Sequence, residues 1–113
     1  MDKIVDKIAA LGVPGLVLLV AMAVTGWTGA AAITTALALL GGPFGMLGGI
    51  AVLGIMGLVS QGIAQYGFPE IFKAVVYQLY TNGMSKESIL KEVSWYPISD
   101  ELKKQISDYL EAE

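Results

Sequence analysis

The stretch GGPFGMLGGIAVLGIMG, residues 41–57, decides the predicted architecture because it combines many glycines with an otherwise apolar composition. Seven of its seventeen residues are glycine, and none is charged. In lipid, no hydrophobic force brings helices together, and close packing of backbones across small residues takes that role. The stretch therefore predicts a membrane environment in which helices touch at glycines.

The charge-free region around this stretch is long. Residues 8–69 contain no Asp, Glu, Lys or Arg, and a membrane span needs about 20 apolar residues, so the region is long enough to cross twice. Residues 41–43, Gly-Gly-Pro, predict a turn, because glycine ends helices and proline follows them. Residues 44–64 then predict a second hydrophobic helix. We expect residues 1–67 to form an amphipathic N-terminus and a transmembrane helical hairpin.

The first span admits two arrangements. One kinked helix could cover residues 14–40, long enough to cross with some tilt. Alternatively, the chain breaks at TGWTG, residues 25–29, and leaves two half-helices. In that arrangement Trp27 is an interface anchor, because amphipathic aromatic rings prefer the headgroup level. Residues 2–11 precede the span as an amphipathic helix.

Residues 68–113 change in character, because charged residues return. Their apolar spacing predicts three short amphipathic helices, the second capped by Ser85 and the third by Ser99. Such a small helical module is marginal alone. We therefore expect it to lie against the membrane, the spans or a neighbouring copy, and residues 69–113 could also bind a protein partner.

Composition argues against several classes of function. Cysteine and histidine are absent, and so is arginine, which removes thiol nucleophiles, the commonest general base and the commonest metal ligands. The net charge of −3 argues against binding of nucleic acid. No nucleophile–base pair, metal cluster or phosphate loop is visible in the sequence. We expect no enzyme activity, no metal and no cofactor.

The glycines and a few polar residues are the candidate functional positions. Six glycines are predicted to pack helices together: Gly41, Gly45, Gly48, Gly49, Gly54 and Gly57. They could serve the hairpin within one chain, contacts between copies, or both. The extent of this small surface favours a homo-oligomer. Four polar residues are candidates for lining a lumen between subunits: Thr34, Thr35, Ser60 and Gln61.

The termini suggest a topology. The loop between the spans carries no lysine while both flanks do, which places both termini in the cytoplasm. The start MDKIVDKI makes a poor signal-peptide n-region, because Asp2 and Asp6 offset Lys3 and Lys7. We expect no cleavage; the alternative is a leader cleaved near Ala32.

Residues 26–62, which begin GWTGAAAITTALALLGG, resemble the interferon-inducible small hydrophobic membrane protein family. This resemblance implies membrane insertion and a role in innate defence or cell death, with no catalytic residues. The same region is similar to circular bacteriocins, which permeabilise membranes but are typically cationic and shorter. Phage holins are a third likeness, with two spans, a charged tail and assembly into membrane lesions.

These features predict a small, all-α integral membrane protein. We expect it to interact with the lipid bilayer and to self-associate through its glycines, forming a pore or perturbing the membrane as a defence or lysis effector. The alternative is a non-conducting anchor or accessory subunit, whose spans only tether residues 69–113 to a larger complex.

Overall fold

The computed structural model describes residues 2–25, 34–35, 38 and 49–113, and every regular element in them is helical. This confirms the all-α fold class. The six helices are α1 (Asp2–Ala10), α2 (Val13–Thr25), α3 (Gly49–Tyr66), α4 (Phe68–Thr81), α5 (Lys86–Val93) and α6 (Asp100–Glu111).

Helix α1 is amphipathic, as its sequence predicts. Val5 and Ile8 are buried, whereas Lys3, Asp6 and Lys7 are exposed. The buried side packs mainly against α4 and also touches α2 and α3. The stripe that the sequence assigned to a membrane interface or to the approach to a span therefore lies against other helices of the same chain.

A sharp turn separates α1 from α2. Gly12 adopts a φ of 73°, a left-handed conformation that favours glycine, and its N–H donates to the carbonyl of Ala9 at 2.9 Å. Pro14 lies in the first turn of α2, where its missing N–H costs no hydrogen bond. The two helices are bent by 115° at this break.

Helix α2 is the centre of the described structure. It contacts each of the other five helices. Nine of its residues are buried: Val13, Gly15, Leu16, Val17, Leu18, Leu19, Val20, Ala21 and Met22. A helix that is apolar on every side must be surrounded on every side, and here the surrounding groups come from four amphipathic helices and from the apolar helix α3.

Helices α3 and α4 meet at Gly67, whose φ of 81° turns the chain. Pro69 lies in the first turn of α4, a position that suits proline because its missing N–H costs no hydrogen bond there. The predicted apolar stripe of α4 is buried: Ile71, Phe72, Val75, Val76 and Leu79. This stripe packs against α1, α2 and α3, so the first of the three C-terminal helices lies on the N-terminal ones.

The last two helices begin at the predicted caps. The Ser85 hydroxyl accepts a hydrogen bond from the backbone N–H of Ser88, and the Ser88 hydroxyl accepts one from the backbone N–H of Ser85. Ser99 accepts from the backbone N–H of Leu102 at 3.1 Å. Both helices then turn their apolar sides towards α2.

Taken singly, none of the described helices has both the length and the apolarity of a membrane span. Lys3–Ala10 and Val13–Thr25 satisfy the criterion only as a pair, across their 115° bend. The proposed turn at 41–43 and the first residues of the second predicted span, 44–48, lie outside the described residues, as does most of the region from 26 to 40.

Candidate functional site

Helix α2 is enclosed by the other described helices. Its seven consecutive residues from Leu16 to Met22 are each at most 2% exposed. The shell around it consists of the other five helices, of which α1, α4, α5 and α6 carry charged residues on their outer sides and α3 carries none. The chain thus holds a helix of lipid-compatible composition inside a shell that is charged except on the outer face of α3.

Glycine allows α1 and α2 to approach each other closely. A Cβ at Gly15 would collide with the backbone carbonyl oxygen of Ile8 and lie 3.1 Å from the Cβ of Leu11. Gly15 was not among the glycines that the sequence singled out for packing. The cluster Gly12-Val13-Pro14-Gly15 was a usable signal, because glycine and proline mark turns where backbones come close.

A cavity of about 450 Å³ lies at the C-terminal end of α2, beside the start of α6. Its described lining comprises Ala21, Val24, Thr25, Thr34, Thr35, Pro97, Ile98, Ser99, Glu101, Leu102 and Gln105. Glu101 is the one charged side chain of that lining, and the polar groups beside it are hydroxyls and an amide. The cavity therefore favours water or a hydrogen-bonding ligand over an anion.

Two of the four candidate lumen residues lie at this cavity. Thr35 is buried and Thr34 is exposed, and both contribute to its wall. Ser60 and Gln61 are on α3 and are absent from the described lining. Ser60 is half-buried and Gln61 is exposed. In the described part of a single chain, the four residues therefore do not share one surface.

The outer face of α3 carries two of the candidate packing glycines. Gly54 and Gly57 are exposed, and a Cβ at either position would have no described atom within 4 Å. Leu53 beside them is 61% exposed. These glycines therefore pack against no described part of their own chain. Gly49 begins α3, whereas Gly41, Gly45 and Gly48 lie outside the described residues.

The opposite face of α3 uses a different glycine. Gly62 is buried, and a Cβ there would collide with Cδ1 of Ile71 on α4 and lie 3.0 Å from Cγ2 of Ile4 on α1. Sequence reasoning missed this position because Gly62 stands outside the regular glycine spacing. Helix α3 thus packs Gly62 against α1 and α4, whereas no described residue packs against Gly54 or Gly57.

A second groove, of about 490 Å³, lies at the opposite end of α2. Pro14, from the first turn of α2, lines it together with Ser88, Lys91, Glu92, Trp95 and Tyr96. The Trp95 side chain is 73% exposed. The predicted anchor Trp27 lies outside the described residues. Trp95 was not among the candidate residues, because it stands alone between two predicted helices and belongs to no apolar stripe.

One wall of this groove is held by a tyrosine–carboxylate pair. The Tyr96 hydroxyl donates to a carboxylate oxygen of Glu92, four residues earlier. Tyr96 is buried. Its pKa is raised well above the ordinary value of 10.0, first by burial and then by its hydrogen bond to Glu92 and the charge of that carboxylate. The pair fixes the chain just before and just after Trp95.

Comparisons with protein-family models, with curated proteins and with solved structures gave no match.

Proposed function

We propose that this chain is a small membrane protein whose copies self-associate through glycine-rich helices to form a pore or otherwise perturb the bilayer, as a defence or lysis effector. The observation that carries this proposal is the enclosure of α2. The side chains of a helix that is apolar on all sides are suited to lipid, and in this chain that helix is enclosed by the other described helices.

Insertion in this scheme requires a rearrangement. Helix α2 has 13 residues, fewer than the approximately 20 that cross the hydrocarbon core. Together with α1 it satisfies the length and composition of a span. We therefore propose that α1 and α2 open their bend at Gly12 and enter the bilayer as the first span, and that the predicted helix 44–64 is the second. Both chain termini then stay on the cytoplasmic side.

Self-association uses the outer face of α3 in this proposal. Gly54 and Gly57 leave the α3 backbone accessible to another helix. Small residues let helix backbones approach in lipid, where van der Waals packing drives association. Gln61, exposed on the same helix, would add an interhelical hydrogen bond.

Leakage from dye-loaded vesicles tests the proposal. We expect the unmodified chain to release dye, and Gly54→Leu with Gly57→Leu to weaken association and leakage roughly tenfold, because a bulky side chain holds the backbones apart. Gly57→Ala is the matched control and should retain leakage, since alanine keeps the face small. Native mass spectrometry in nanodiscs measures the oligomer in the same samples.

Two outcomes contradict the proposal. Stable insertion without leakage at any protein density would favour the alternative function, a non-conducting anchor that tethers residues 69–113 to a larger complex. Leakage equal in the leucine and alanine variants would show that the face of α3 takes no part in assembly.

A further inference from the structure

Trp95 has an unusual position for a large aromatic side chain. It lies in the connection between α5 and α6, with 73% of its surface exposed. Exposing an indole to water is unfavourable by the area rule for apolar surface. The flanking Tyr96 is buried and bonded to Glu92, so the connection is held in place while Trp95 projects from it.

The surroundings of Trp95 are polar and include two lysines. Lys91 is exposed on α5 and lines the same groove. The Lys103 ammonium reaches across from α6 and donates to the carbonyl oxygen of Ser94 at 3.1 Å. An indole beside lysines has the chemistry of a membrane–water interface, where the ring enters the headgroup layer and ammonium groups meet phosphates.

Carboxylates also lie near this arrangement. Glu92 lines the same groove, where it accepts a hydrogen bond from the Tyr96 hydroxyl, and Glu101 lines the cavity at the other end of α2. Asp100 lies in the first turn of α6, where a negative charge complements the helix dipole. A protein-binding hot spot, in contrast, is usually a tryptophan at the centre of a larger apolar patch.

The groove also has a structural link to α2. Pro14, in the first turn of α2, forms a wall of the groove that holds Trp95. A bilayer touching Trp95 would therefore lie next to the start of the enclosed apolar helix and next to the bend at Gly12.

We infer that the groove around Trp95 is where the folded chain first docks on a phospholipid surface, with the indole in the headgroup layer and Lys91 and Lys103 facing lipid phosphates. This inference rests on the proposed membrane function and adds the point of first contact. Docking there brings the start of α2 to the bilayer before α2 leaves its shell.

Tryptophan fluorescence tests the inference directly. In Trp27→Phe, Trp95 is the sole tryptophan. Adding vesicles of phosphatidylcholine and phosphatidylglycerol should shift its emission to shorter wavelength, and a nitroxide near the headgroup should quench it more than one deep in the acyl chains. An unchanged emission on vesicles that bind the protein would overturn the inference and indicate that Trp95 serves a protein partner.

Binding of the otherwise unmodified chain gives a second readout. Trp95→Ala should lower the vesicle partition coefficient about tenfold, because the apolar area of an aromatic side chain then no longer leaves water. Lys91→Gln should weaken binding to vesicles with phosphatidylglycerol more than binding to phosphatidylcholine alone. Thr81→Ala, at an exposed position on α4, is the control. Partition coefficients equal to the control would overturn the inference.

Leakage recorded in the same samples separates the two proposals. Leakage without any change in Trp95 emission would support the proposed function and contradict the docking site. A change in Trp95 emission without leakage would support the docking site and contradict pore formation.

Discussion

At the scale of single residues, short-range hydrogen bonds fix where the outer helices begin and end. Ser85 and Ser88 form a reciprocal capping box at the start of α5, and each such cap is worth about 1 kcal/mol. Near its end, the pair of Tyr96 and Glu92 ties the following connection back to α5. These bonds keep the shell around α2 ordered.

Alkaline pH should lower the stability of the folded chain through the pair of Tyr96 and Glu92. The pKa of Tyr96 is 10.0 when unfolded and is raised in the folded chain by burial and by Glu92. The stability that follows from this shift is therefore fully present below about pH 10 and is lost as the pH rises above it. Burial, followed by the charge of Glu113, raises the pKa of Tyr80 in the same direction.

We expect the free energy of unfolding of Tyr96→Phe to fall less steeply at alkaline pH than that of the unmodified chain. Some of the fall should persist, because Tyr80 still contributes to it. The variant should also lose about 0.5–1.5 kcal/mol near neutral pH, since its hydrogen bond to Glu92 is gone. Urea denaturation followed by circular dichroism at a series of pH values measures both effects. Tyr77→Phe, at an exposed tyrosine, is the control, and an unchanged alkaline decline in Tyr96→Phe would contradict the assignment.

At the scale of helices, glycine has two different roles. Gly15 and Gly62 are buried where a Cβ would meet another helix, whereas Gly54 and Gly57 are exposed. A glycine inside a helix costs about 0.5–1 kcal/mol relative to alanine. Because no described residue contacts either exposed glycine, packing within the described part of the chain does not offset this cost.

Alanine substitutions distinguish the two roles. Gly57→Ala should stabilise the isolated chain by about 0.5–1 kcal/mol through helix propensity. Gly15→Ala should destabilise it by about 1–3 kcal/mol, because the new methyl group meets the Ile8 backbone, which cannot move aside as a side chain can. Denaturant midpoints measure both, and destabilisation by Gly57→Ala would show that this face is already occupied.

Helix ends were predictable from the sequence because their signals are local. Ser85, Ser99 and the Gly67–Pro69 break each act within a few residues. The contacts of each glycine were not predictable. Glycine has no side chain, so the periodicity of apolar residues does not show which neighbour it faces. The predicted stripe of α4 was correct, but amphipathicity alone does not reveal that α1, α2 and α3 would cover it.

At the scale of the whole molecule, the sequence leaves the role of α2 ambiguous. The run from Leu16 to Met22 is apolar on every face, a pattern shared by a membrane span and by the central helix of a bundle. In the structure α2 is the central helix of a bundle, in contact with five helices. We propose that α2 is a bundle helix in one state of the chain and part of a membrane span in another.

Two such states require α2 to exchange helix contacts for lipid contacts. Its apolar side chains are buried in either state, so the hydrophobic gain is retained. Helix α1 joins α2 in the proposed span, and the other charged shell helices, α4, α5 and α6, each keep a polar side that suits the membrane surface. The bend at Gly12 must then open.

The most direct test of this exchange is photolabelling of the unmodified chain in vesicles by a phospholipid with a diazirine in its acyl chain. Peptic digestion and mass spectrometry then locate the adducts. We predict adducts on α2 between Leu16 and Met22, residues that are buried in the structure. Vesicle-bound protein that carries adducts only outside α2 would contradict the account, because α2 would have kept its helical shell.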